Sequence, residues 1–158
     1  MNQDIIKIET ELIIHVREKK GGGIIDETVT RNTLTDTGIA VAAGLYGNVD
    51  AQNAFIYLAL STNDDTPSTS DTALIDEITS NGFARSAALV SRVTTTLAND
   101  TTQLYKEWTA TGSQVIKKAG FFNALSGGIM GGSALTGTKE IHVGQTLAVT
   151  YKIKHTAG

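Results

Sequence analysis

The first twenty residues alternate between apolar and polar side chains. The apolar side chains of one parity are Ile6, Ile8, Leu12, Ile14 and Val16. Because successive side chains of a strand point to opposite faces, a period of two over this length predicts a long strand with one buried face. Three glycines then predict a flexible turn: Gly21, Gly22 and Gly23. The short strand expected after them, Ile24–Thr30, pairs either with the first strand or with another subunit.

An amphipathic terminal strand followed by a glycine hinge is also the arrangement that an arm exchanged between subunits requires. We therefore divide the chain into an N-terminal arm with its hinge, residues 1–23, and a β-rich body, residues 24–158. Such an arm adds main-chain hydrogen bonds to the edge of a neighbouring sheet, and its alternate side chains supply specificity.

A short helix is predicted from Thr35 to about Tyr46. Its apolar residues Ile39, Ala42, Ala43 and Tyr46 follow the i, i+3, i+4, i+7 spacing, which places them on one helical face. Either Thr35 or the aspartate after it is a suitable N-terminal cap, and a glycine and an asparagine follow as a suitable C-terminal stop. We expect this face to pack on a sheet.

The rest of the chain carries strand patterns separated by polar turns. We expect these strands at residues 53–61, 84–97, 103–110, 115–122, 140–143 and 146–155, with a short helical turn at 72–78. Strands at such intervals are typical of sandwiches and barrels rather than of alternating strands and helices. The predicted fold is therefore mainly β: a single-domain antiparallel β-sandwich or β-barrel-like fold with one short helix and an extended N-terminal β-arm.

Two adjacent aromatic residues, Phe121 and Phe122, point to opposite faces of their predicted strand. Large rings on both faces indicate a strand that is covered on both sides. Together with Trp108 they are candidates for the core or for a subunit interface. The glycine pairs Gly127–Gly128 and Gly131–Gly132 predict turns, because glycine adopts positive φ without steric cost.

Composition narrows the range of functions. The chain has 158 residues, 41% of them hydrophobic, a net charge of -3 and no cysteine. A negative net charge gives no electrostatic basis for binding nucleic acid, and the absence of cysteine excludes disulfides and thiolate metal sites. The sequence contains no run of about 18 apolar residues, so no membrane span is predicted. The N-terminus lacks the pattern of a secretory signal, so we expect synthesis and folding in a cytosol.

No catalytic, cofactor or metal site is predicted. The histidines His15, His142 and His155 do not have the spacing of a ligand set. The oxygen-rich loop that contains Asp64 and Asp65 does not match an EF-hand. The glycine pairs do not lead into a helix, as a phosphate-binding loop requires. An enzyme would also need a nucleophile and a base in a recognisable arrangement, and the sequence offers none.

Three short motifs, in this order, resemble a group of tailed-bacteriophage virion proteins that carry polar surface loops on a small β fold. They are Thr72–Ile78 (TALIDEI), Ala119–Ala124 (AGFFNA) and Gly144–Ile153 (GQTLAVTYKI). The likeness extends over Arg31–Ile153. Lys118 departs from the pattern, which commonly has an acidic residue near this position. The resemblance covers both capsid-surface and tail proteins.

From this resemblance we expect a capsid decoration (cement) protein without catalysis or cofactor. It would bind the outside of a phage head as a homotrimer, with the major capsid protein as its partner. The alternative is a tail-tip, baseplate or fibre-associated structural protein that contacts a host glycan. The residues available for such a glycan platform are Tyr105, Trp108, Phe121 and Phe122.

Overall fold

A computed structural model describes residues 6–157; the first five residues of the predicted arm and Gly158 lie outside this part of the chain. Ten strands and one helix are found within it. Their bounds are β1 (Ile6–Arg17), β2 (Ile24–Arg31), β3 (Thr33–Leu34), α1 (Asp36–Gly47), β4 (Tyr57–Ser61), β5 (Ser86–Ala87), β6 (Leu89–Val93), β7 (Thr101–Thr109), β8 (Gln114–Phe122), β9 (Met130–Ile141) and β10 (Thr146–Ala157).

The strands form two antiparallel five-stranded sheets. The first sheet has the order β2-β1-β10-β7-β6, and the second sheet has the order β3-β9-β8-β4-β5. The mainly β class with one short helix is therefore confirmed. Of the two architectures that the sequence left open, the structure has the sandwich, because neither sheet closes on itself.

The first strand lies inside the first sheet. Leu12 of β1 is opposite Tyr151 of β10 on one side and opposite Thr30 of β2 on the other. The β1–β2 hairpin is one of the two pairings that the sequence allowed. At its turn the N–H of Gly22 donates to the carbonyl of Lys19 at 2.9 Å, and Gly21 has a φ of 74°.

The main core fills the space between the sheets. Leu12 and Leu104 of the first sheet and Leu60 and Ile116 of the second sheet are all fully buried in it. The Tyr151 hydroxyl crosses the core and donates to the Ala119 carbonyl at 2.7 Å. Burial raises the pKa of Tyr151 far above its ordinary value. The phenol therefore stays protonated and ties the sheets together.

A smaller cluster covers the other face of the second sheet. It consists of Ala59, Leu74, Phe122 and Met130, with Tyr57 packed against them. This cluster explains why a strand with apolar residues on both parities is found at β4, although the strand is shorter than expected.

The apolar face predicted for the helix is not packed closely on a sheet. Thr35, one of the two expected caps, caps α1, but the residues of α1 that are buried are Gly38 and Val41. Ile39 is 48% exposed and Tyr46 is 66% exposed. This expectation was wrong because the helix lies across the open end of the sandwich, where its apolar face borders a pocket.

Three other local expectations differ from the structure. Residues 72–78 form turns and a single bridge rather than a helical turn. The glycines of the second pair, Gly131 and Gly132, lie within β9, which also contains the first half of the short strand expected at 140–143. The strand expected at 84–97 is divided, because the chain passes from the second sheet to the first at Ala88, whose N–H donates to the Ile56 carbonyl.

No helix within residues 6–157 is both long enough and apolar enough to cross a membrane.

Candidate interaction surfaces

The residues proposed for an N-terminal arm occupy two environments. Leu12 and Ile14 are fully buried and Val16 is 4% exposed, so all three belong to the core. Ile8 is half-buried and borders the apolar pocket described below, whereas Ile6 is 67% exposed. Within a single chain both edges of β1 are hydrogen-bonded. Exchange of this strand between subunits stays a prediction.

The candidate aromatic residues are deeply buried. Trp108 is 3% exposed, and its indole N–H donates to the Ala84 carbonyl at 3.0 Å. Phe121 makes edge-to-face contacts with Phe55 and Tyr151, at centroid distances of 5.3 and 5.2 Å. Because the rings of Trp108 and Phe121 are enclosed by the core, they present no face on which a sugar could stack. Tyr105, which was also named for a glycan platform, is half-buried on the outer face of the first sheet.

Phe122, on the opposite face of β8, lies beneath Arg85, whose guanidinium carbon is 3.6 Å from the ring centroid. Arg85 also holds Glu77 with two hydrogen bonds, Nε–Oε1 at 2.9 Å and Nη2–Oε2 at 2.5 Å. Its Nη1 donates to the carbonyls of Ala124 and Gly127 at 3.0 and 2.8 Å. One side chain therefore fixes the loop between β8 and β9 to the second sheet.

Two lysines are buried and each joins separate segments. Lys139 of β9 is 6% exposed, and its ammonium group donates to the Asp26 carboxylate and the Thr28 hydroxyl of β2, both at 2.7 Å. These contacts close one long side of the sandwich. Lys118 of β8 is 5% exposed and donates to the Asn63 side-chain carbonyl at 3.0 Å. Both ammonium groups therefore have hydrogen-bond partners within the protein.

An apolar pocket of about 380 Å³ lies at the open end of the sandwich, under α1. Its wall is almost entirely apolar, with Thr102 and His155 as the polar contributors. The apolar contributors include Ile8, Leu34, Ile39, Tyr46, Phe121 and Ile153. The helical spacing of Ile39, Ala42 and Tyr46 is the sequence signal for this pocket, although such spacing ordinarily predicts packing on a sheet.

The histidines and carboxylates are dispersed. His15 pairs with Glu27 at 2.6 Å on the outer face of the first sheet. His155 lies 6.0 Å from the Tyr46 ring at the pocket. Among residues 6–157, no group of three or more His, Cys, Asp or Glu side chains is placed to hold a metal ion.

The outer face of the first sheet carries a row of largely apolar residues, one from each strand. In register across the sheet they are Val29, Ile13, Thr150, Tyr105 and Leu89, hereafter the outer row. Val29 is 55% exposed and Leu89 is 70% exposed. The residues on both sides of the outer row are mostly charged. The sequence signal was Ile13, an apolar residue on the polar parity of the first strand.

One comparison with known proteins identifies a family. A family model described as Podophage GP4 fiber I protein gp80 matches residues 30–153. No curated protein matches the chain, and no solved structure matches it. The matched segment contains every strand from β3 to β9, helix α1 and most of β10. Because it covers well over half of the chain, the protein belongs to this family of tailed-phage virion structural proteins, described as Podophage GP4 fiber I protein gp80.

Proposed function

We propose that the protein is a fibre-associated structural component of the tailed-phage virion. The observation that carries this proposal is the family match over residues 30–153, whose description names a fibre protein. Capsid decoration and the homotrimer, both expected from the sequence resemblance, stay predictions. The experiment below also tests capsid decoration.

The mechanism is non-covalent packing of a rigid domain against neighbouring virion proteins. The Tyr151 hydrogen bond across the core and the Lys139–Asp26 ion pair at its side hold the two sheets in a fixed relation. A rigid domain loses little conformational entropy on binding, so more of the contact energy appears as affinity. The proposal includes no catalytic step.

The outer edge of β2 supports such packing. Among residues 6–157, strand β2 pairs only with β1, so its other edge offers main-chain hydrogen-bonding groups to a further strand. Three apolar side chains along it are about half exposed: Ile24, Ile25 and Val29. Exposed edges of this kind are used for strand addition between proteins.

Locating the protein on the particle tests the proposal. We would fuse a short epitope tag to the C-terminus, label purified virions with gold-conjugated antibody, and image them with untagged virions as the control. Quantified gel bands, with the major capsid protein as internal standard, would give the copy number. We expect label on the tail fibres and at most dozens of copies. Label over the head with hundreds of copies would instead support capsid decoration and overturn the fibre proposal.

A further inference from the structure

We propose that the outer face of the first sheet is a two-fold interface between two copies of this chain. The proposal concerns how copies pack and goes beyond the location given above. It begins from the outer row, which crosses all five strands between charged neighbours. A largely apolar line across an otherwise mostly polar and charged sheet face is unusual for a face that meets only water.

The face is large enough for a specific contact. Five strands spaced about 4.8 Å apart and five side-chain rows spaced about 6.8 Å apart cover on the order of 800 Å² before side-chain relief is added. A standard protein interface buries about 800 Å² on each partner. The outer row supplies the apolar centre of such an interface, and the charged residues beside it supply the polar rim.

The two sides of the outer row differ in charge. On the side where β1 begins, the outward charged residues are Lys7, Glu9, Glu11, Arg31, Lys152 and Lys154. This set has four cations and two carboxylates. On the other side the outward titratable residues are His15, Arg17, Glu27 and Glu107. The excess of positive charge therefore lies on one side of the outer row only.

A two-fold axis that runs along the outer row makes these differences complementary. Such an axis lays one sheet on the other and brings each side of one copy over the opposite side of its partner. On β2, Arg31 and Glu27 are the outward residues next to the outer row, one on each side of it. Arg31 of one copy therefore meets Glu27 of the partner. On β1, Arg17 and Glu9 are the second outward residues from the outer row, again on opposite sides of it. Arg17 of one copy therefore meets Glu9 of the partner.

The same symmetry brings each residue of the outer row against its own equivalent. Ile13 then meets Ile13, and Leu89 meets Leu89, so apolar contacts lie on both sides of the central Thr150 pair. Each of these contacts joins two residues of the same face, one from each copy. A second copy of this chain therefore completes every contact without any other protein. This self-complementarity is why we assign the face to a second copy.

The first test places like charges on the two-fold axis. In the double variant V29D/L89D, two carboxylates face each other at each end of the outer row, one pair at position 29 and one at position 89. Both positions are more than half exposed in the single chain, so the fold should tolerate the change. The matched control is L125D/V143D, which alters two other apolar residues that are 58% and 67% exposed and belong to no strand of the first sheet.

We would measure sedimentation from about 1 to about 500 µM, because affinities at interfaces of this size vary widely. The wild type and the control should approach twice the 16.7 kDa chain mass, and V29D/L89D should remain at the chain mass. Circular dichroism would verify that both variants are folded. A wild type that is monomeric throughout, or a dimer that V29D/L89D leaves intact, would overturn the proposal. So would a trimer, which a two-fold contact alone does not produce.

The second test does not depend on the stability of V29D/L89D. R31E places two glutamates against each other at both symmetry-related contacts, and E27R places two arginines there. Each variant alone should dimerise at least about tenfold more weakly than the wild type, because like charges at an interface repel. An equimolar mixture should recover dimerisation, because a mixed pair restores one opposite-charge contact on each side of the axis. A mixture no stronger than the separate variants would contradict the two-fold arrangement.

If wild-type copies stay monomeric while V29D/L89D is lost from virions, the face binds a different virion protein. That result would overturn the assignment to a second copy while leaving the fibre location untouched. The location test bears on the fibre proposal, and these two tests bear on the dimer proposal. A result that overturns one proposal therefore leaves the other standing.

Discussion

At the residue scale, charged side chains that are partly or fully withdrawn from water hold segments together. Arg85 directs four hydrogen bonds to Glu77, Ala124 and Gly127 and covers the ring of Phe122. Such a planar, forked contact is specific to arginine, because a lysine supplies one point charge. The conformation of the loop that follows β8 therefore depends on one guanidinium group.

We expect Arg85→Ala to lower the free energy of unfolding by about 2 kcal/mol, because it leaves Glu77 and two carbonyls without their donor. Arg85→Lys should recover less than half of that loss. Urea unfolding at pH 7 measures both changes. Arg92→Ala, at an exposed position in β6, is the matched control. Equal midpoints for Arg85→Ala and Arg92→Ala would show that the guanidinium contacts do not stabilise the fold.

Asp100 organises the turn before β7. Its carboxylate accepts hydrogen bonds from the backbone N–H groups of Leu97, Thr95 and Thr96, at 2.8 to 2.9 Å. These bonds, that of Leu97 first, hold the pKa of Asp100 below its ordinary value of 3.8. A pKa that is lower in the folded state means that ionised Asp100 stabilises the fold above that ordinary value.

We expect Asp100→Asn to lower the thermal midpoint at pH 7, because the amide replaces one acceptor oxygen with a donor facing backbone N–H groups. The difference from the wild type should narrow as the pH falls below 3.8, where the wild-type carboxylate loses its advantage. Thermal unfolding at pH 7, 4 and 2.5 tests this. Asp65→Asn is the control, since that exposed carboxylate accepts only from Asn63 among the side chains around it. A difference that does not change with pH would contradict the role of the charge.

At the scale of elements, α1 is held by a close backbone contact. The Thr35 hydroxyl accepts from the Gly38 N–H at 2.9 Å and donates to the Met130 carbonyl at 2.5 Å, which joins the cap to β9. A Cβ atom at Gly38 would lie 2.5 Å from the carbonyl oxygen of Gly131. A Cβ atom at Gly131 would in turn lie 2.0 Å from the Phe121 ring. The two glycines let helix, strand and ring stack closely.

Two glycines of the same helix therefore provide a matched pair of substitutions. Alanine favours an isolated helix over glycine by about 1 kcal/mol. Gly44→Ala should realise part of this gain, because the nearest obstacle is the flexible Gln52 side chain. Gly38→Ala should instead destabilise the protein by about 1 to 3 kcal/mol, since backbone atoms must move. Chemical denaturation compares them. A stabilised Gly38→Ala would show that the contact with β9 is loose.

At the scale of the whole molecule, the first strand is needed to complete the first sheet and the core of the body. Strand β1 separates β2 from β10 and supplies Leu12, Ile14 and Val16 to the core. In the sequence the same strand has the features of an arm, because a glycine turn follows it. The fold requires a strand in this position, whether it comes from the same chain or from an exchanged copy.

We expect removal of residues 1–23 to abolish cooperative unfolding, because the first sheet then lacks its second strand and the core loses three side chains. Circular dichroism and amide NMR dispersion of the truncated chain measure this. Leu12→Ala is the milder version and should cost about 2 to 5 kcal/mol. Ile6→Ala, at a position that is 67% exposed, is its control. A truncated protein with native dispersion would mean that the body folds without β1.

Much of the architecture could be predicted from local patterns. The alternation in β1 and β10 identified their inward residues, and Thr35 and the glycine after Tyr46 gave the helix bounds. The candidate interaction surface was harder to predict from the sequence. The outer row joins residues from five strands that are far apart in sequence, and each contributes a single side chain. No short segment carries that signal, since only pairing brings Ile13 beside Thr150 and Val29.

The sequence by itself determined the strand content, the inward faces of the long strands and the capped helix. These follow from the period of apolar residues and from the conformational preferences of single residues, which act over a few positions. Only the tertiary structure decided that the architecture is a sandwich, that β1 lies between β2 and β10, and that Gly131 belongs to a strand. Those outcomes depend on which distant segments meet, and contact between distant segments is set by packing of the whole chain rather than by local preference.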